Sequence, residues 1–183
     1  MLIKICILLS LLLATFTPAA DPAWSKDAAG WNQNGNPISD SDSRRSTNGF
    51  GAMLLLIDDQ KFFEDWQRPE SPKFKTVSIA RRMVPIHATI LFAGAAVDSD
   101  GKAHVSCDVK VLKPDGSVYG ARERMIASKD PISSATALFL ATQRLVVRIE
   151  PKDPPGTYTI EASVKDKIKN VELKLKQQFT VEE

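Results

Sequence analysis

Cysteine is nearly absent from this 183-residue sequence, in which Cys6 and Cys107 are the only two. Cys6 lies in an apolar N-terminal run that we expect to be removed, which would leave one thiol and no intramolecular disulfide. The low cysteine content excludes a small disulfide-bonded scaffold. With 43% hydrophobic and 25% charged residues, the composition is that of a globular chain and excludes collagen and a wholly disordered protein. Stability must come from a packed core.

The chain also lacks an excess of charge of either sign. Lys4 is the only charged residue among the first 20, so the remainder carries 23 basic and 22 acidic side chains. A nucleic-acid-binding protein should present a clustered basic stripe, whereas here Lys and Arg are interspersed with Asp and Glu. We therefore expect no nucleic-acid partner.

Residues 1–20 have the pattern of a secretory signal peptide. A single Lys4 precedes an apolar run from Ile5 to Ala14, and small residues follow at Ala19 and Ala20. That run is about half the length that a spanning helix needs, and no later stretch is long and apolar enough to cross a bilayer. The sequence predicts export to the periplasm or full secretion, with no transmembrane segment after cleavage.

Residues 21–49 are predicted to form a flexible leader. Of these 29 residues, 18 are Asp, Asn, Ser, Gly or Pro, and such a segment buries too little apolar surface to offset its ordering entropy. Trp24 and Trp31 are candidate contacts for a partner protein, because exposed aromatic side chains are frequent binding hot spots. The alternative is that both tryptophans pack back onto their own domain.

From residue 50 to residue 183 the pattern predicts one all-β domain. Short runs rich in Val, Ile, Thr, Phe and Tyr are separated by turn residues. Asp59 is a candidate cap for a two-turn helix that carries Phe62, Phe63 and Trp66 and ends before Pro69. The predicted strands are 52–57, 75–80, 84–93, 103–112, 117–127, 145–149, 157–165 and 171–181.

Alternation with a period of two assigns the faces of these strands. In 84–93, His87 and Thr89 are predicted to point outward. Gln177 falls on the buried side of the last strand, so we expect it at a rim or a bulge. The members of the buried set are Val105, Cys107, Val109 and Val111 in 103–112, and Tyr158, Ile160, Ala162 and Val164 in 157–165. Because each of these strands has one apolar and one polar face, the sequence predicts two packed antiparallel sheets of about seven to eight strands.

Two segments extend this prediction to a family. The closing run DPPGTYTIEASVKDKIKNVELKLKQQFTV and the turn VLKPDGSVYG resemble bacterial immunoglobulin-like and macroglobulin-type sandwich domains. The resemblance covers about residues 79–181 and implies an antiparallel immunoglobulin-like β-sandwich. It implies no activity, because such domains serve adhesion, adaptor and structural roles alike. The chain lacks the two core cysteines of antibody-type domains, so no site residue is carried over.

Catalytic and metal-binding patterns are weak. There is no G-x-S-x-G turn and no glycine-rich phosphate loop. His104 and Cys107 differ by three positions and should point to opposite faces of a strand, which opposes shared metal ligation. Asp98 and Asp100 superficially resemble the start of a calcium loop, but the twelfth position, Val109, is not Glu. We expect exposed histidines, a buried Cys107, no cofactor and no metal.

These observations favour an exported, non-catalytic interaction module that binds another protein of the cell envelope or the extracellular space. Addition of a strand at a sheet edge is the expected mode of contact, and the polar strand 117–127 is a candidate edge. Arg122 and Arg124 on that strand are candidate partner contacts, together with Trp24 and Trp31. The alternative is an envelope enzyme or metal carrier that uses His87, His104 and the Asp58-Asp59 turn.

Overall fold

The computed structural model describes residues 23–25, 30–33, 35–68, 74–128, 131 and 137–183, and for 23–25 it describes the backbone alone. The predicted signal peptide lies outside these residues. The described elements are β1 (Ala23–Ser25), β2 (Gly30–Gln33), β3 (Asn36–Pro37), β4 (Arg44–Thr47), β5 (Phe50–Ile57), α1 (Lys61–Asp65), β6 (Ile79–Ala80), β7 (Ile86–Ala93), β8 (Val105–Leu112), β9 (Val118–Ser128), β10 (Phe139–Leu140), β11 (Leu145–Val147), β12 (Gly156–Asp166) and β13 (Val171–Val181).

The strands form three sheets, which confirms the all-β prediction. Strands β1, β2 and β3 make a small sheet. Sheet I has the order β10-β7-β5-β4, with β11 also paired to β7, and sheet II has the order β6-β13-β12-β8-β9. Strand β6 runs parallel to β13, and the other named pairs are antiparallel. Among the described residues, no helix has the length and hydropathy needed to cross a membrane.

Sheets I and II bury one common hydrophobic cluster, as the alternating pattern predicts. Strands β12 and β13 pair without interruption from Gly156 opposite Val181 to Asp166 opposite Val171. Their inward side chains join those of β5, β7 and β8 in a single core. Gln177 is half-buried in an unbroken register opposite Ile160, so it lies at the rim of the core and not at a bulge.

Sheet I is buried on both faces, which the sequence pattern did not predict. A second cluster covers its outer face and includes Trp31, Phe62 and Phe63 together with Leu55 and Leu91. His87 and Thr89 are consequently buried, at 7% and 1% exposure, and the prediction that they point into solvent was wrong. A strand of a central sheet can be dry on both faces when other elements pack on it, and then it loses its polar alternation.

The predicted flexible leader contains ordered strands in the structure. β4 pairs with β5 from Arg44 opposite Met53 to Thr47 opposite Phe50, and the Lys176 N–H donates to the Asp42 carbonyl at 2.7 Å. The segment therefore contacts both sheets. Composition missed this because backbone pairing to a buried strand supplies stability that the polar side chains of the segment do not reveal.

Other element boundaries also differ from the predictions. The described chain has thirteen strands where seven or eight were expected, because several are only two to four residues long. The predicted strand 75–80 is reduced to Ile79–Ala80. The helix is a single turn, after which Trp66 occupies the C-terminal cap. The N-cap residue is Gln60 and not Asp59 as predicted, although the Asp59 carboxylate accepts a hydrogen bond from the Lys61 N–H at 2.8 Å.

Candidate functional site

The candidate site begins at the turn that joins β8 to β9. The Lys113 N–H donates to the Ser117 carbonyl at 2.8 Å, and the Gly116 N–H donates to the Lys113 carbonyl at 2.9 Å. The Asp115 carboxylate accepts from both the N–H and the hydroxyl of Ser117, and these bonds lower the pKa of Asp115. The Pro-Asp-Gly sequence thus forms the predicted hairpin connection and directs the chain into β9.

Strand β9 lies at the end of sheet II, so one of its sides pairs with no other strand among the described residues. In an antiparallel ladder, successive residues direct their backbone groups to alternate sides. On the β8 side, the backbone of Lys113 bonds to Ser117, so the backbone groups of Val111 and Val109 also point toward β9. Their partners on β9 are Gly120 and Arg122. The backbone N–H and C=O groups of Ala121 and Glu123 therefore point away from the sheet.

Other segments close the remainder of this edge. The Gln143 side chain accepts from the Ile126 N–H at 2.9 Å, and the Gln143 N–H donates to the Ile126 carbonyl at 3.2 Å. The Thr142 N–H donates to the Ala127 carbonyl at 3.0 Å. Within the described part of the chain, no element pairs with the outer side of β9 at Ala121 or Glu123. The open portion is therefore short and centred on these two residues.

A β-bulge bounds the open portion. The register between β8 and β9 shifts between Cys107 and Val109, so that two β9 residues lie opposite Asp108. Arg124 has a φ of 54°, and its N–H donates to the Asp108 carboxylate at 2.6 Å. A non-glycine residue in this conformation is strained, and the carboxylate stabilises it. Bulges at sheet edges end regular pairing and limit which strands can be added.

Two charged side chains flank the open edge on opposite faces of sheet II. Arg122 lies opposite Val109, on the face that carries the core, whereas the next residue, Glu123, lies on the outer face beside Ala121. Both side chains are exposed. Neither makes an ion pair or a side-chain hydrogen bond within the described residues. Among the described residues of the open portion, Arg122 and Glu123 thus present one charge without an ion pair on each face, and Arg124 in the bulge presents a second such cation.

A shallow groove of about 510 Å³ adjoins this edge on the outer face of sheet II. Four carboxylates and four basic side chains line it. Lys110 and Glu161 pair within it at 2.9 Å, while Lys174 and Lys176 form no ion pair among the described residues. A groove lined by charges of both signs is complementary to a partner surface that also carries both signs. It presents no basic stripe of the kind that binds a polyanion.

The four predicted partner contacts are not brought together. Trp31 is 1% exposed, and its Nε1–H donates to the Arg45 carbonyl at 3.2 Å, so it is not a partner contact but packs onto its own domain, which was the stated alternative. It belongs to the second core because β2 packs on sheet I. The Trp24 side chain lies outside the described residues. Arg122 and Arg124 are exposed on the β9 edge, as predicted.

The residues of the alternative enzyme or metal hypothesis are separated. His87 pairs with Ile57, so Asp58 and Asp59 follow at the same end of sheet I. His87 lies near the start of β7, and roughly 20 Å of strand separates it from the end of β7 at Ala93. His104 follows that end in the chain. His104 Nε2 lies 2.6 Å from the Asp98 carboxylate. Among the described residues, no group of three His, Cys, Asp or Glu could hold a metal ion.

His87 has a different set of neighbours. The Arg144 Nε–H donates to its Nδ1 at 3.1 Å, and the Arg144 guanidinium lies 3.9 Å from the centroid of the Phe63 ring. Burial, and secondarily the Arg144 charge, lower the pKa of His87. An imidazole that accepts at Nδ1 is neutral at neutral pH. The sequence-based prediction of an exposed His87 missed this cluster because Arg144 is 57 positions away.

Cys107 is buried at 1% exposure, as predicted. Burial, together with the neighbouring Asp108 charge, raises the pKa of its thiol to about 12. The thiolate, not the thiol, is the nucleophile and metal ligand, so this side chain is inert at neutral pH.

No protein-family model matches the sequence, and no curated protein matches it. Among solved structures, the chain is similar to a family 123 glycoside hydrolase from Clostridium perfringens, which was studied for glycolipid glycan hydrolysis. The identity is 11% and the TM-score 0.37, and the match covers 72% of this chain and 27% of that one. The chain thus spans about a quarter of the length of that enzyme.

The matched protein is a hydrolase, whereas the sequence led us to expect that this protein is not an enzyme. We withdraw that expectation. The match identifies no residue of this chain, so no reaction is proposed in its place.

Proposed function

We propose that the protein is an exported binding module that holds an extended segment of another protein along the free edge of β9. The observation that carries this proposal is the pair of outward-facing backbone positions, Ala121 and Glu123, which have no partner within the described residues. Buried or not, backbone N–H and C=O groups are strong hydrogen-bonding groups, and an added strand would satisfy them.

We further propose that the two large sheets correspond to an immunoglobulin-like sandwich. In that assignment β5, β7 and β10–β11 are strands A, B and E, while β8, β12 and β13 are strands C, F and G. β9 is then strand C′, one of the two strands that variable-type domains add to the sheet of C, F and G. The order of strands along the chain agrees with this assignment.

Tyr158 gives the assignment a second support. Its hydroxyl donates to the Pro154 carbonyl at 2.9 Å, four residues upstream, and it lies near the start of β12. Immunoglobulin-type domains have a tyrosine with this backward bond at the corresponding corner. The ring also stacks on Phe179 at 5.4 Å between centroids, so the corner is fixed to the core.

The proposed location is the periplasm or the extracellular space, through the signal peptide at residues 1–20. The partner is therefore an envelope or extracellular protein. The mixed charges beside the edge favour a polypeptide over a nucleic acid, since the latter would need a concentrated basic surface.

Substitution of Ala121 by proline tests the proposal. Proline removes the outward N–H that an added strand would use, yet sacrifices no bond to β8, and proline is tolerated on edge strands with the N–H side in solvent. The preceding residue is Gly120, which limits the steric restriction that proline imposes. Ala121→Thr is the matched control because it keeps the N–H.

The measurement is affinity capture from an envelope extract, with partners quantified by mass spectrometry. We expect a partner that the parent protein and Ala121→Thr capture equally and that Ala121→Pro loses at least tenfold. Circular dichroism verifies that both variants fold. Capture that Ala121→Pro leaves unchanged, or capture of nothing specific by the parent protein, would overturn the proposal.

A further inference from the structure

We infer that the segment recognised by β9 is an antiparallel strand in which a basic residue is followed at once by an acidic residue and, two positions later, by a large apolar residue. This inference rests on the proposed function. It derives from three neighbouring side-chain positions of β9, namely Gly120, Arg122 and Glu123.

The two charges determine the first half of the motif. Arg122 and Glu123 are exposed, lie on opposite faces of sheet II and make no ion pair within the described chain. Residues directly opposite each other on neighbouring strands share a face, and opposite charges there are favourable. A carboxylate therefore belongs opposite Arg122 and a cation opposite Glu123.

The direction of the partner strand sets the order of these charges. In an antiparallel partner, the residue opposite Glu123 precedes the residue opposite Arg122, which gives basic then acidic. A parallel partner would give the reverse order. Antiparallel pairing is slightly more stable per residue and leaves the outward groups of Ala121 in a regular hydrogen-bonded pair, so we assign that direction.

Gly120 provides the second half of the motif. A Cβ built at this glycine would meet no atom within 4 Å, and its φ lies outside the range that excludes L side chains. Neither packing nor backbone conformation therefore requires glycine at this position. Glycine within a strand marks a bulge or a place where another backbone approaches closely, and the register with β8 does shift beside Gly120, between Val111 and Leu112. The missing side chain leaves open space over the strand backbone on the Arg122 face, and a large apolar side chain of the partner can cover it.

Two synthetic peptides of equal composition test the inference, acetyl-TVKETFTV-amide and acetyl-TVEKTFTV-amide. Each is titrated into ¹⁵N-labelled protein without the predicted signal peptide, and binding is followed by the backbone amide signals of Ala121 and Glu123. Exchange of two attractive charge pairs for two repulsive ones should weaken binding about tenfold, so we expect the KE peptide to bind about ten times more tightly.

A charge-reversed protein provides the matched control. In the double variant R122E/E123R, the preference should invert in favour of the EK peptide by a similar factor. Gly120→Val, which has room for its side chain, should keep the fold and weaken binding of the KE peptide by occupying the space that the peptide's apolar side chain would cover.

The outcomes separate the two proposals. If neither peptide shifts the Ala121 and Glu123 signals, the edge does not bind strands and the proposed function fails together with the motif. If both bind with equal affinity, or the EK peptide binds more tightly to the parent protein, strand addition stands and the motif is wrong. A preference that the double variant does not invert also contradicts the motif.

Discussion

The Asp166 carboxylate accepts a hydrogen bond from the Ala96 N–H at 2.8 Å, although 70 positions separate the two residues. The same carboxylate accepts from the N–H groups of Ile168 and Lys169 at 2.9 and 3.0 Å. Asp166 has no exposed surface. One buried side chain thus joins the turn between β12 and β13 to the segment that leaves β7, and so holds sheets I and II together at one end.

Asp166→Ala should lower the free energy of unfolding by about 3 kcal/mol, because three backbone N–H groups lose their acceptor in a buried place. Urea denaturation monitored by fluorescence measures the change. The control is Asp115→Ala in the exposed turn between β8 and β9, where water can replace the carboxylate and a much smaller loss is expected. Equal losses in the two variants would contradict a special role for Asp166.

Gly156→Ala should destabilise the protein by about 2 kcal/mol or more. Gly156 has a φ of 123°, and a Cβ there would lie 3.0 and 3.1 Å from Pro114 side-chain atoms. Both the backbone strain and the contact oppose any side chain. Gly120→Ala is the matched control, with open space and an expected change within about 0.5 kcal/mol. Thermal unfolding of the two variants side by side decides the matter.

The Cys107 thiol should not react with a disulfide reagent such as DTNB in the native protein at pH 8. Burial raises its pKa to about 12 from an ordinary value of 9.0. Labelling should therefore proceed only through unfolding and should accelerate in urea in step with the unfolded fraction. Rapid stoichiometric labelling of the native protein would show that the thiol is accessible.

The same pKa predicts a loss of stability at high pH. Above pH 9 the unfolded chain releases the Cys107 proton while the folded chain keeps it, so the free energy of unfolding decreases as pH rises toward 12. The slope from this one group is about 1.4 kcal/mol per pH unit. Comparison with Cys107→Ala isolates it from other groups, and identical pH profiles for the two proteins would refute the assignment.

Because of His87, we expect the free energy of unfolding to depend on pH below neutrality. Its pKa is lowered by burial and by the Arg144 charge, so below an ordinary pKa of 6.5 the unfolded chain binds a proton that the folded chain does not. The stability present above pH 6.5 should therefore decrease as the pH falls through the pKa of the folded state. Arg144→Gln should raise the His87 pKa part of the way, since burial remains. NMR titration of the imidazole measures both, and a His87 pKa at or above 6.5 in the parent protein would contradict the prediction.

Several strands could be predicted from the sequence because their evidence is local. Val105, Cys107, Val109 and Val111 alternate with polar residues, and all four are buried. The Pro-Asp-Gly turn between β8 and β9 forms as its residue types require. Arg122 and Arg124 were assigned to an exposed edge strand for the same reason, and they lie on one.

Other features could not be predicted from local patterns. His87 was expected outside, and for Trp31 the sequence did not decide between a partner contact and packing onto its own domain, yet both residues are buried by elements distant in the sequence. Gly120 and the outward backbone of Ala121 gave no signal in the sequence, since a free strand edge is defined by the absence of a neighbour. The bulge at Arg124 depends on the hydrogen bond from its N–H to the carboxylate of Asp108, 16 positions earlier.

The sequence by itself determined the all-β character of the chain and the faces of its long strands, because a two-residue period fixes side-chain direction whatever the strand later packs against. Only the tertiary structure decided which face of sheet I is covered, where the histidines lie and which strand remains open. Those properties depend on contacts between residues far apart in the chain, where burial and hydrogen-bond partners are supplied by other elements.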